Sequence, residues 1–173
     1  MKQHWASRAL AVLGLAGLAL PAAAASVELT TRVSGVVDTV LVRPGQRVQK
    51  GAPLLRLDRT VLRARVAEAE AEYARAEADE ADAKREAVRA QELFDRTVSS
   101  TTELEAATLR HARARAMLAA AEARRTIARK DLSDAELKAP FAGTVKAVPG
   151  GPGSVVTADC QPKPLVILEA AQR

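Results

Sequence analysis

Leu62, Val66, Ala69, Tyr73, Ala76, Ala83, Ala87, Ala90 and Phe94 follow one another at alternating spacings of four and three, once Glu80 is counted as the single break. After an interruption the pattern resumes with Leu104, Ala107, Ala114, Leu118, Ala121, Ala128 and Leu132, and here His111 and Arg125 are the breaks. An apolar position every 3.5 residues marks a helix that packs along a seam against another helix. Ala, Glu, Arg and Leu fill the tract, and these residues have the strongest intrinsic preference for helix. The interruption reads RAQELFDRTVSS, from Arg89 to Ser100. It predicts a fold-back near Thr97 to Ser99, because one helix through Asp58 to Leu132 would be far longer than a small domain needs. Ser100-Thr101-Thr102-Glu103 fits a capping box, in which Ser100 bonds the N3 backbone N–H. The pattern therefore predicts an antiparallel helical hairpin over residues 59–132, with arms of about 50 Å at 1.5 Å per residue. Alanines in its seams allow close approach but bury little apolar area, so the arm is expected to gain stability from a partner or from copies of itself.

The flanks are of another kind. Residues 27–57 and 135–169 are rich in Val, Leu, Thr, Gly and Pro, which predicts short strands and turns. They also repeat one another: Gly35-Val36-Val37, Gly45 and Val48 recur at a constant offset as Gly143-Thr144-Val145, Gly153 and Val156. Pro53-Leu54-Leu55-Arg56-Leu57-Asp58 then parallels Pro164-Leu165-Val166-Ile167-Leu168-Glu169, displaced by three further residues. Neither half is large enough to bury a core alone, so the two are expected to close on each other, with Gly35 and Gly143 at equivalent turns. The fold class expected is α+β, a β-sandwich of two half-motifs (26–58 and 133–170) interrupted by the hairpin, with a short tail at 171–173.

The first 25 residues change the picture of where the chain resides. Lys2 and Arg8 precede an apolar run from Ala9 to Leu20, and Ala23 and Ala25 satisfy the small-residue cleavage rule. The run is too short for about 30 Å of hydrocarbon, which predicts a removable signal peptide over 1–25, a mature start near Ser26 and a periplasmic location. Cys160 is the only cysteine, so no internal disulfide forms, and it has no ligand set around it. The net charge is +5. Arg alternates with Glu along the helical tract, and aromatics make up 2% of the chain. That composition argues against nucleic-acid binding, which needs stacking platforms, and for a solvated, ion-paired helix surface.

Catalytic chemistry finds no set of residues. The histidines are His4, in the presumed signal segment, and His111, in a helix seam. No serine nucleophile therefore has a base and an acid to activate it. The carboxylates alternate with Arg on helix faces, and Gly150 to Gly153 lacks the Lys-Ser/Thr of a phosphate loop. No enzyme activity, metal or cofactor is expected.

Two half-motifs in order around a heptad hairpin resemble the HlyD-type membrane fusion proteins, the periplasmic adaptors of tripartite efflux pumps and type I secretion systems. The matching stretches are VSGVVDTVLVRPGQRVQKGAPLLRLD (Val33 to Asp58) and LKAPFAGTV (Leu137 to Val145). The half-motifs are similar to biotinyl/lipoyl carrier domains. The hairpin here leaves right after LLRLD, where the carrier lysine's turn would stand, no Met-Lys-Met occurs, and Lys50 beside Gly51 reads as a turn lysine. The resemblance implies an adaptor that links an inner-membrane transporter to a TolC-type outer-membrane channel, and a homo-oligomer around that channel. It also implies a docking tip of an Arg, a Leu four residues on and a Ser seven beyond, which here are Arg89, Leu93 and Ser100. Family members usually continue into a β-barrel domain, whereas this sequence stops at Arg173 after the second half-motif. That predicts a short form without the barrel, with weak pump contact. A periplasmic coiled-coil scaffold outside any pump is the alternative.

Overall fold

The computed structural model describes residues 26–158 and 163–170. The expected signal peptide and Cys160 lie outside the described residues. In chain order the elements are β1 (Ser26–Leu29), β2 (Gly35–Val40), β3 (Arg47–Val48), β4 (Pro53–Leu57), α1 (Thr60–Asp95), α2 (Thr101–Asp134), β5 (Glu136–Lys138), β6 (Gly143–Ala147), β7 (Val155–Val156) and β8 (Val166–Ala170).

The internal repeat becomes a pseudo-symmetric pair of four-stranded sheets. One has the order β1-β8-β6-β3 and the other β5-β4-β2-β7. Exchanging each strand for its counterpart in the other half converts one order into the other. Each sheet therefore takes its two central strands from one half and its edges from the other, so neither half can be completed alone. All pairings are antiparallel, as in β1 on β8 from Ser26↔Glu169 to Leu29↔Val166.

The repeated glycines show why the halves match. Gly45 and Gly153 adopt positive φ of 85° and 83°, a conformation in which a Cβ is strained. Their N–H groups donate to Val145 and Val37 carbonyls at 2.7 and 2.8 Å, each half clamping the other. Gly35 and Gly143 occupy equivalent positions, but these are the first residues of β2 and β6 rather than turns. A Cβ on Gly143 would lie 2.2 Å from the Glu169 carbonyl oxygen, so glycine is needed there for strand approach.

Leu54, Leu55, Leu57, Val37, Val145, Val166 and Leu168 are fully buried between the sheets. Leu62 and Ala135, at the roots of the two helices, join this core and fix the hairpin's base. Asp58 strengthens the exit: its carboxylate accepts the Thr60 N–H at 2.8 Å, and that bond holds its pKa below the usual carboxylate range.

The hairpin itself is thinly packed. Its buried residues are Leu62, Ala69 and Ala83 on α1, and Ala107, Ala114 and Ala121 on α2. Apart from Phe94, which is exposed where the seam runs out at the tip, every seam position expected from the heptads is buried or half-buried. The positions that break the apolar pattern find partners across the seam. His111 Nε2 lies 2.9 Å from Glu80 Oε1, and the Arg125 guanidinium stacks 3.6 Å above the Tyr73 ring. A polar layer in an alanine seam fixes register that small residues alone leave loose. Flanking ion pairs add to it: Arg124–Glu72 at 3.0 Å, Arg129–Glu70 at 2.8 Å, and Arg110–Glu86, whose hydrogen bond depresses the Glu86 pKa.

Candidate docking tip at the end of the hairpin

The far end of the hairpin is built from a helix stop and a helix start five residues apart. At the stop, Val98 N–H donates to Leu93 C=O and Thr97 N–H to Phe94 C=O, both at 2.9 Å. This pair of bonds is the Schellman arrangement, which satisfies the last carbonyls of a helix. Its left-handed position is held by Thr97, at φ 62°, where glycine is the usual occupant. A β-branched side chain there costs about 1–2 kcal/mol. Replacing Thr97 with Gly is expected to raise the hairpin's thermal midpoint, followed by helical circular dichroism; an unchanged or lowered midpoint would show that the turn is not strained.

At the restart, the capping box expected from the sequence is present. Ser100 Oγ accepts the Glu103 N–H at 3.3 Å, and Glu103 Oε2 accepts the Ser100 N–H at 3.0 Å. Glu103 also sits in the first turn of α2, where a negative charge complements the helix dipole.

The three expected tip residues occupy distinct places. Arg89 borders a shallow groove on α1 with Lys84, Arg85, Val88 and Glu92. Leu93, one turn further, is 39% exposed, so it lies outside the buried seam. Ser100 is the N-cap of α2. Sequence reasoning did not single out two neighbours. Phe94 and Val98 are 38% and 71% exposed, and with Leu93 they leave the tip apolar. The heptad pattern places Phe94 in the seam, and Val98 follows the left-handed Thr97 that turns the chain.

Elsewhere the surface offers little chemistry. A polar pocket of about 330 Å³ where α2 meets β5 is bordered by Arg32, Lys130, Asp134, Glu136 and Lys138. Two of its cations are already paired, Lys130 with Asp134 and Lys138 with Glu136. Glu136 is held below the usual carboxylate range chiefly by the Arg56 hydrogen bond. Among the described residues, no group of three or more His, Cys, Asp or Glu could hold a metal ion. Lys50 stands in the β3–β4 turn, and no helix among the described residues is long and apolar enough to cross a membrane.

A split sandwich with a projecting helical hairpin is also what known proteins show. The family model described as "RND MFP, barrel-sandwich hybrid domain" matches residues 25–168. The chain belongs to this family. Members of this membrane fusion protein family serve as periplasmic, envelope-associated adaptors of efflux systems and are not enzymes. The chain is 33% identical over 122 residues to YdhJ, an uncharacterised protein of Escherichia coli, covering 70% of this chain and 42% of that one. Among solved structures, a membrane fusion protein from Streptococcus pneumoniae is similar in fold, with a TM-score of 0.64 at 18% identity over 84% of this chain and 59% of that chain. A MacA–MexA chimera carrying the α-hairpin domain of Pseudomonas aeruginosa MexA is similar with a TM-score of 0.56 at 25% identity, over 84% of this chain and 46% of that chain. The chain thus spans less than two thirds of the length of each of these relatives.

Proposed function

We propose that this membrane fusion protein works in the periplasm as an adaptor between an inner-membrane efflux or secretion transporter and a TolC-type outer-membrane channel, with its hairpin tip docking on the channel. The observation that carries this is the tip itself: apolar Leu93, Phe94 and Val98 are exposed together at the end of the projecting arm. Leu93 supplies an apolar knob, and Arg89, one turn before it, supplies a guanidinium that can donate to channel carbonyls or carboxylates. Ser100 keeps the second helix capped and holds its hydroxyl at the same end. The division into a signal peptide (1–25), a first half-motif (26–58), a hairpin (59–132) and a second half-motif (133–170) belongs to this reading. So does assembly of several copies around one channel.

A tagged full chain, cross-linked in living cells and captured from the envelope, is expected to bring down a TolC-type channel identified by mass spectrometry. Capture of the chain without any outer-membrane channel would favour a coiled-coil scaffold outside any pump.

A further inference from the structure

The two half-motifs share one fold, so each is a control on the surface chemistry of the other. Residues 40–57 contain no acid, yet they carry Arg43, Arg47, Lys50 and Arg56. Arg56 pairs with Glu136 beside the hairpin root. Arg43, Arg47 and Lys50 are exposed, as is Lys146 on β6, and none of these four has an ion pair among the described residues. At the repeat offset, the other half has Gly151, Val155, Ala158 and Asp38 in their places. The fold therefore does not require these bases. An edge strand can carry a base merely to deter stray pairing, and Arg47 stands on the edge strand β3. Its counterpart edge, β7, does without one and leaves Val155 74% exposed.

The bases project from a rim that the fold holds in place. Val42 and Val48 are buried in the core. The N–H groups of Gly45 and Gly51 donate to the Val145 and Ala139 carbonyls at 2.7 and 2.8 Å. Lys146 follows Val145 and so borders the same rim, and exposed Leu41 adds an apolar side chain two residues before Arg43. This rim lies at the end of the β module away from the hairpin. β4 runs from Pro53 to Leu57, where the chain leaves for α1. β2 is antiparallel to β4 and begins at the hairpin root, where the Asp58 N–H donates to the Val36 carbonyl at 2.8 Å. Residues 41–52 join the far ends of these two strands.

We propose that this rim seats the β module on an anionic phospholipid surface, with Arg43, Arg47, Lys50 and Lys146 at the headgroup phosphates and Leu41 at the boundary with the acyl chains. When the hairpin tip is directed at an outer-membrane channel, the opposite end of the molecule faces the inner membrane. In that respect the inference rests on the docking reading above. The four bases come from separate segments, the loop after β2, β3, the β3–β4 turn and β6, which suits a field of headgroups better than a single acidic peptide. Each Lys or Arg near an anionic surface strengthens binding about fivefold. The contact is peripheral and reversible, and added salt weakens it by screening.

Co-sedimentation with vesicles tests this, using the chain recovered from periplasmic extract. Binding is expected to vesicles of phosphatidylglycerol mixed with phosphatidylethanolamine, reversed by salt, and not to vesicles of phosphatidylcholine. Each of Arg43→Gln, Arg47→Gln and Lys50→Gln should lower the partition coefficient about fivefold, and the triple variant should lose binding. Arg113→Gln with Arg115→Gln, which removes two bases from α2, should bind as the parent does. Circular dichroism should be the same for all of them. Binding to neither vesicle, equal binding to both, binding that survives the triple substitution, or loss in the α2 variant would overturn the proposal. A transporter captured through the same three bases, without vesicle binding, would reassign the rim to a protein contact. No channel is present in the assay, so membrane seating and tip docking can fail separately.

Discussion

Replacing Arg89 with Ala, or Leu93 with Ser, is expected to abolish export while leaving the hairpin helical. Both residues lie on the surface of α1 near its end, and neither belongs to the core. Leu93 contributes to the turn through its backbone carbonyl, which a serine retains. Exposed changes of this kind usually cost under about 0.5 kcal/mol, so loss of function without loss of structure would assign the two side chains to docking. Export is read as rescue of a deletion strain across a panel of toxic organic compounds and metal ions, with helical content measured in parallel. Ser100 needs a different design because its cap is structural: Ser100→Ala costs about 1 kcal/mol of helix stability, while Ser100→Asn and Ser100→Asp keep the cap. Loss of export in the cap-preserving variants would mean that the hydroxyl itself is used in docking. Normal export by Arg89→Ala and Leu93→Ser together would remove the tip as the docking site.

The largest effect on folding is expected at Gly143. It pairs with Ala170 in the centre of the first sheet, and an added methyl would press into the Glu169 carbonyl oxygen at 2.2 Å and its carbon at 3.1 Å. Backbone cannot give way as a side-chain end can, so β6 and β8 would have to separate. Gly143→Ala is expected to cost about 3 kcal/mol, the upper part of the usual overpacking range, which is a large share of a small domain's stability. Its repeat counterpart is an internal control. A methyl on Gly35 would meet the Leu57 side chain at 3.4 Å, ordinary contact with a group that can move. Gly35→Ala should therefore be tolerated to within about 1 kcal/mol, helped by the lower backbone entropy of alanine. Equal melting of the two variants would contradict the close strand approach.

What could be read in advance follows from how locally each feature is encoded. The seams were legible because Leu62, Ala69, Ala83, Ala107, Ala114 and Ala121 repeat at a helical period and nothing else competes with it. Ser100 and Glu103 were legible as a cap because the motif is complete within four residues. The pairing of Glu80 with His111 was not: each looks like a defect in its own stripe, and only the register of the folded hairpin brings them together. Arg125 likewise looks like a defect until the folded hairpin lays it over the Tyr73 ring. Thr97 hid the Schellman turn, since a threonine gives no sign of a left-handed residue. The repeat located Gly35 and Gly143 at equivalent points, but a glycine in a strand start and one in a turn look alike in sequence. The exchange of edge strands between the half-motifs was also invisible, because it depends on pairings between residues far apart in the chain.

The most direct measurement of the adaptor reading is cross-linking from the tip in living cells. A photo-reactive residue in place of Leu93 should capture the TolC-type channel, identified by mass spectrometry, and the Arg89→Ala change should reduce that product. The same residue placed at Ala71, about a third of the way along α1 from its root, should not capture the channel. Channel cross-links from Ala71 as strong as those from Leu93, or none from Leu93 in cells where export is intact, would contradict docking through the tip.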